Sequence, residues 1–127
     1  MKHLVFTLLL VSLVGGCTCT RPCKIKSKNA MIVHSVFFNL HHKPASTGET
    51  AFFTKAKKLV AIPGVENFQV LKEVSSKNPY TFGFSMEFAD QADYDGYNTH
   101  PDHVRFVQDV WVNEVAEFQE IDYMKAR

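Results

Sequence analysis

The chain has 127 residues, of which 46% are hydrophobic and 13% aromatic, and its formal net charge is +1 at pH 7. This length suits one domain with its own hydrophobic core and is too short for two. The charge is distributed unevenly along the chain. All 13 acidic residues lie at or after Glu49, whereas the charged residues within 18–29 are all basic. We expect no nucleic-acid partner, since an acidic domain repels phosphate.

Residues 1–16 have the pattern of a lipoprotein signal peptide. A basic start at Lys2 precedes the apolar stretch Leu4–Val14, and two glycines come directly before Cys17. The apolar stretch is too short for a stable membrane span, and small residues let the peptidase approach. We therefore predict cleavage after residue 16, a lipid on Cys17, and an exported protein anchored to a membrane of a bacterial cell envelope.

Residues 17–29 are expected to form a basic tether. Its cationic side chains suit anionic lipid headgroups, and keeping a linker soluble is the alternative. Once Cys17 carries lipid, Cys19 and Cys23 remain, and an oxidising compartment would permit a disulfide between them. No metal site is predicted here, because a lipidated cysteine is not a thiolate ligand and no histidine lies nearby.

Residues 30–127 are predicted to form one folded domain that opens with a strand. Met31–Leu40 alternates apolar residues at period two, as a strand does. Ser46 and Glu49 have the spacing of a capping box at the start of a helix. Apolar residues then recur at helical spacing, and they are Phe52, Phe53, Ala56, Leu59 and Val60. The Ile62-Pro63-Gly64 segment ends this helix.

Two more strands follow in the predicted order. Val65–Val74 forms the second, with Phe68, Val70 and Val74 on one side. Tyr80–Phe88 has the clearest alternation in the chain, with one wholly apolar face and one small or polar face. Both patterns indicate strands of a sheet that is covered on one side.

Two helices and a final strand complete the domain. Asp90 caps a short helix that carries Tyr94 and Tyr97, and Pro101 occupies the first turn of the next helix. Val115–Tyr123 forms the last strand. The buried stripe of the second helix is predicted at Val104, Val107 and Trp111, with Phe106 and Val110 beside it.

This order of elements defines an α+β domain with a ferredoxin-like βαββαβ antiparallel sheet and helices on one face. The other sheet face then carries Val33, Phe37 and Leu71, with Phe118 as a further candidate. An apolar surface of this kind is poorly suited to water. A second copy packed sheet to sheet would cover it, so we predict a homodimer that forms a dimeric α/β barrel.

Four segments resemble the stress-responsive A/B barrel family, Dabb. They are the first strand Ile32–Phe38, the helix end Ile62–Val65, the segment Tyr97–Val104 and the closing Ile121–Tyr123. The third contains a His-Pro-x-His motif with a tyrosine three residues ahead. The resemblance implies a ferredoxin-like dimeric barrel, in a family whose bacterial members mostly lack a known activity.

The resemblance also implies candidate catalytic residues. Olivetolic acid cyclase, a plant member, closes a polyketide ring by aldol condensation, and its two catalytic residues correspond here to Tyr97 and His103. Two cavity positions differ from that enzyme, because Phe82 replaces a histidine and Ala56 replaces a tyrosine.

A ligand pocket is implied by the same comparison. A histidine of the cyclase cavity corresponds to His34 on the first strand, and a phenylalanine pair corresponds to Phe52 and Phe53 on the first helix. We assign His100 to the same pocket. Related dimeric barrels include haem-degrading enzymes, for which His34, His100 and His103 would be candidate axial ligands. No cofactor is predicted.

The predicted function is binding of a small apolar or aromatic molecule between the sheet and the helices, by a domain of otherwise undefined activity. Two alternatives remain. In the first, the domain is a cyclase-like enzyme in which His103 takes a proton from carbon beside a carbonyl and Tyr97 donates to the developing enolate oxygen. In the second, it is a structural or protein-interaction module without catalysis.

Overall fold

The computed structural model describes residues 31–124 and 126. The predicted signal peptide at residues 1–16 and the tether at residues 17–29, with its lipidated Cys17, lie outside the described residues. Among the residues that are described, no helix combines the length and the hydrophobicity needed to cross a membrane.

Strands and helices follow one another in the order expected from the sequence. The four strands are β1 (Ile32–Leu40), β2 (Glu66–Lys72), β3 (Phe82–Phe88) and β4 (Val115–Met124). The helices are α1 (Thr47–Ala56), α2 (Gln91–Thr99) and α3 (Pro101–Phe106). A 3-10 turn (Lys57–Ala61) follows α1, and α3 continues through a π-helical turn (Val107–Trp111) and a last α-helical turn (Val112–Glu114) into β4.

The strands form one antiparallel sheet in the order β2-β3-β1-β4. β1 lies at the centre and pairs with β3 on one side and with β4 on the other. Helices cover one face of this sheet. The opposite face is termed the open face, and its apolar residues are Val33, Phe37, Leu71, Ile121 and Tyr123. The predicted ferredoxin-like α+β fold is therefore confirmed.

The core between the sheet and the helices is built largely from aromatic rings. Phe38 on β1, Phe52 on α1 and Phe88 on β3 are fully buried. Phe38 and Phe84 have ring centroids 4.7 Å apart, and Phe52 stacks nearly parallel to Phe84 at 6.1 Å. These contacts fix α1 against the centre of the sheet, because packed rings contribute both buried area and preferred geometry.

The second strand is shorter than its apolar pattern predicts. The prediction that this strand extends to Val74 is wrong, because β2 ends at Lys72 and the Val74 side chain is 96% exposed. The Glu73 carboxylate accepts hydrogen bonds of 2.5 Å from the Ser75 backbone N–H and hydroxyl. This turn takes the chain away from the sheet at the position where the alternation would have continued.

A β-bulge at Ala116 reverses the phase of β4. Leu40 pairs with Val115, but the next residue of β1, Asn39, pairs with Glu117, so Ala116 is one extra residue. An extra residue moves every following side chain to the opposite face of the sheet. Phe118 consequently faces the helices, where its ring lies 5.5 Å from that of Trp111. The prediction that Phe118 belongs to the open face is wrong for this reason.

Candidate functional site

A cavity of about 250 Å³ lies between the helices and strands β1, β3 and β4. Its walls are mostly apolar and are formed by Val36, Leu59, Phe84, Met86, Phe106, Val107, Trp111 and Phe118. The polar side chains on its lining are those of His34, Tyr97, Asn98, His103 and Glu120. Apolar walls with a few polar groups at fixed positions are typical of small-molecule sites.

The break between α2 and α3 brings Tyr97 and His103 together. α2 ends at Thr99, and α3 begins at Pro101 with the His100 ring accepting a hydrogen bond of 3.2 Å from the Asp102 N–H. The extended backbone of His100 interrupts the helix between these two turns. The Tyr97 and His103 rings lie 4.2 Å apart between centroids, with their planes 35° from parallel.

Burial shifts the pKa values of both side chains of this pair. Tyr97 is only 2% exposed, and burial together with the negative charge of Glu120 raises the pKa of its hydroxyl well above the usual range. Burial lowers the pKa of His103. Tyr97 therefore stays a hydrogen-bond donor at neutral pH, while His103 is a neutral base.

The hydrogen bond made by His103 selects its tautomer. Its Nδ1 lies 3.2 Å from the Asn98 carbonyl oxygen, which can only accept. Nδ1 must therefore carry the proton and donate, and Nε2 of the neutral ring is left as the unprotonated nitrogen. A general base needs such a nitrogen within reach of its substrate.

His34 lies beside this pair and belongs to a hydrogen-bonded group with Asp122 and Tyr94. It is 4% exposed, and its Nδ1 is 2.7 Å from Asp122 Oδ1. The Tyr94 hydroxyl donates to Asp122 Oδ2 at 2.7 Å, so one carboxylate holds both side chains. The His34 and Tyr97 rings are 6.0 Å apart between centroids. Asp122 thereby orients a buried imidazole at the edge of the cavity, close to the Tyr97 ring.

The structure places the other predicted pocket residues elsewhere. Phe52 is buried in the core, 5.6 Å from Phe38 between ring centroids, and Phe53 packs against Phe82 at 5.0 Å. His100 caps α3. His34, Tyr97 and His103 thus border the cavity, whereas Phe52, Phe53 and His100 do not line it.

Sequence reasoning missed Glu120 and Asp122 as site residues. Asp122 belongs to the closing segment on which the family resemblance rests, and this was the available signal. Together with His34 they place three donor atoms within 4.8 Å of one another, the arrangement among the described residues that would suit a metal ion. The short His34 to Asp122 contact is already a good hydrogen bond, which a metal would have to replace.

The fold and the site define a class of protein, namely a ferredoxin-like domain with a tyrosine and a histidine in contact between the sheet and the helices. The chain belongs to the Dabb family, because residues 32–125 match the family described as Stress responsive A/B Barrel Domain.

Solved structures agree with this assignment. A Dabb family protein with a ferredoxin-like fold from Mesorhizobium loti is 55% identical, with a TM-score of 0.75 over 76% of this chain and 98% of its own. Two more distant structures share the fold. A hydroxynitrile lyase from Passiflora edulis is 12% identical, with a TM-score of 0.68 over 77% of this chain and 95% of its own. A dimeric ferredoxin-like protein from Thermobifida fusca is 18% identical, with a TM-score of 0.64 over 77% and 93%. No functionally curated protein matches the chain.

Proposed function

We propose that this Dabb domain binds a small, mainly apolar molecule in the cavity between sheet and helices, and that Tyr97 and His103 act on its polar group. The observation that carries the proposal is the close contact between the Tyr97 and His103 rings on the wall of an apolar cavity. An engineered cavity of about 150 Å³ holds benzene. A volume of about 250 Å³ therefore suits one aromatic ring with a short side chain.

The reaction best suited to this pair is proton abstraction from carbon beside a carbonyl. His103 Nε2 takes the proton, the electrons of the broken C–H bond form the enolate double bond, and negative charge develops on the carbonyl oxygen. The Tyr97 hydroxyl donates a hydrogen bond to that oxygen. Protonated imidazole then returns the proton to carbon. Alternatively, the enolate carbon attacks a second carbonyl within the same molecule, and the imidazolium protonates the alkoxide that forms, which restores the neutral base.

Binding is tested with phenylacetone, a neutral aromatic ketone of suitable size. Trp111 is the single tryptophan of the chain and lines the cavity, so its fluorescence reports occupancy directly. Val107→Phe fills the cavity and is expected to weaken binding by about 10-fold or more, since overpacking leaves less room for the ligand. Val104→Phe adds the same ring on the exposed side of α3 and is expected to leave affinity unchanged. Equal affinities in the two variants would contradict this binding site.

We also propose that the open face packs against a second copy of the chain. β1 contributes Val33 and Phe37 to this face, β2 contributes Leu71, and β4 contributes Ile121 and Tyr123. Leu71 is 39% exposed and Tyr123 is also exposed, so apolar surface from three strands meets water in one copy. Two antiparallel sheets can pack face to face with aligned strands. In a dimer with a two-fold axis, the same surface of each copy forms the interface, so one open face would cover the other.

Export and lipid anchoring form a separate proposal, supported by the features of residues 1–17. The first strand begins at Ile32, and the 13 residues from 17 to 29 would reach at most about 45 Å from the membrane if fully extended. Expression in bacteria with an alkyne-labelled fatty acid tests the anchor. The wild-type protein should carry the label in the membrane fraction, and Cys19→Ala should behave like it, whereas Cys17→Ala should carry none. Label on the Cys17→Ala variant would overturn the proposal.

A further inference from the structure

The electrostatic character of the cavity follows from its charged residue. Glu120 lines the cavity, and neither lysine nor arginine is among the lining residues that the structure describes. Carboxylates that face an apolar wall favour cations and disfavour anions, because little water is present to screen them. The electrostatic potential in the cavity is therefore negative.

The bulge at Ala116 places Glu120 at this position. Without the extra residue, the side chain would point to the open face. Its carboxylate is 3.8 Å from His34 Nδ1, which is a long contact, and its side chain is 46% exposed. Glu120 thus lies at the mouth of the cavity, in reach of both solvent and a ligand.

Aromatic side chains line the same cavity as the Glu120 carboxylate. Phe118 is two residues before Glu120 on the same face of β4, and its ring meets that of Trp111 at 79°. Trp111 in turn lies 6.3 Å from Phe106 between ring centroids. The faces of aromatic rings carry partial negative charge and attract ammonium groups, most strongly where water is excluded.

We propose that the cavity selects small organic cations, in which a protonated amine or quaternary ammonium group lies between Glu120, Trp111 and Phe118 while an apolar or aromatic body enters the cavity. This inference rests on the proposed function, because the same cavity is used. It names the chemical class of the ligand and excludes carboxylates as preferred ligands, since the field that attracts an ammonium group repels an anion.

Three probes of nearly equal size separate charge from shape at pH 7. They are benzylammonium, benzyl alcohol and benzoate, each titrated against the purified protein with Trp111 fluorescence as the readout. Benzylammonium is expected to bind about 10-fold more tightly than benzyl alcohol, and benzoate more weakly than either. The preference should decline as salt is raised from 0.01 M to 1 M, because Glu120 is partly exposed and is screened.

Matched variants test whether the Glu120 carboxylate is responsible for the preference for the cation. Glu120→Gln keeps the shape and should reduce benzylammonium to the affinity of benzyl alcohol, which itself should not change. Glu117→Gln is the control. Glu117 lies on the same strand but does not line the cavity, and its carboxylate accepts a hydrogen bond from the Asn39 side chain. This variant should keep the preference.

The outcomes distinguish the inference from the proposal beneath it. Binding of benzyl alcohol without a preference for the cation would overturn the inference and leave the ligand pocket in place. A cation preference that survives Glu120→Gln would overturn it too. Failure of all three probes to bind the wild-type protein would overturn the ligand pocket as well.

Discussion

Replacing His103 by glutamine should slow the exchange of the α-protons of phenylacetone with deuterated water by about 10²- to 10⁴-fold, relative to the wild-type domain. Glutamine keeps a polar side chain of similar reach but has no nitrogen that takes up a proton. Tyr97→Phe should slow the same exchange by about 10²- to 10³-fold, because the enolate oxygen loses its hydrogen-bond donor. Proton NMR of the ketone in deuterated buffer measures both rates directly.

The pH dependence of this exchange is a second signature of the pair. Burial lowers the pKa of His103, so the neutral base persists to lower pH than the usual histidine value of 6.5 allows. The rate should therefore be level near neutral pH and fall only as pH drops through this lowered pKa. Burial and Glu120 raise the pKa of Tyr97, so the rate should not decline as pH rises to the ordinary tyrosine value of 10.0.

Control variants remove an imidazole and a tyrosine hydroxyl that lie outside the cavity. His41→Gln changes an exposed imidazole in the loop after β1, and Tyr123→Phe removes a hydroxyl on the open face. Both variants should exchange phenylacetone protons at the wild-type rate. A His103→Gln variant that is folded by circular dichroism and equally fast would refute the assignment of His103 as the base.

Local patterns predicted the strands and helices well, because each is set by the alternation or spacing of nearby residues. Phe82, Phe84, Met86 and Phe88 alternate without exception, and the structure places all four on the covered face of β3. The caps at Ser46 and Asp90 also lie where the sequence predicted them, since each side chain accepts a backbone N–H three residues later. These are short-range interactions that a sequence displays directly.

The site depends on a feature that local patterns do not contain. Whether Glu120 and Asp122 face the helices or the open face is decided by the single extra residue Ala116, and this bulge is a property of the pairing with β1. Alternation within β4 is equally compatible with both registers. The pairing of Asp122 with His34 joins residues 88 positions apart, which no local signal reports.

The stripe predicted on α3 illustrates a related limit. Hydrophobicity selects Val104 as a buried residue, but the structure leaves it exposed and turns His103 inward against Tyr97. A polar side chain at a buried position is chosen for its bonds and its chemistry, so a hydrophobic pattern overlooks it. The family resemblance, rather than periodicity, drew attention to His103.

Leu71→Glu should separate the proposed homodimer. Leu71 lies on the open face next to Gly83 of β3, and Phe37 of β1 follows in the same row across the sheet. A carboxylate buried there without a partner costs about 3–5 kcal/mol, which raises the dissociation constant by at least about 100-fold. Light scattering coupled to size-exclusion chromatography at micromolar protein should give a dimer for the wild type and a monomer for the variant.

Val60→Glu is the matched control for this experiment. Val60 is 52% exposed on the 3-10 turn after α1, so it carries the same chemical change on the side of the sheet that the helices cover. This variant should remain a dimer. If Val60→Glu separated the copies and Leu71→Glu did not, the helices rather than the open face would form the contact. That result would require the apolar open face to be covered by something other than a second copy, because a surface of this kind is rarely left in water.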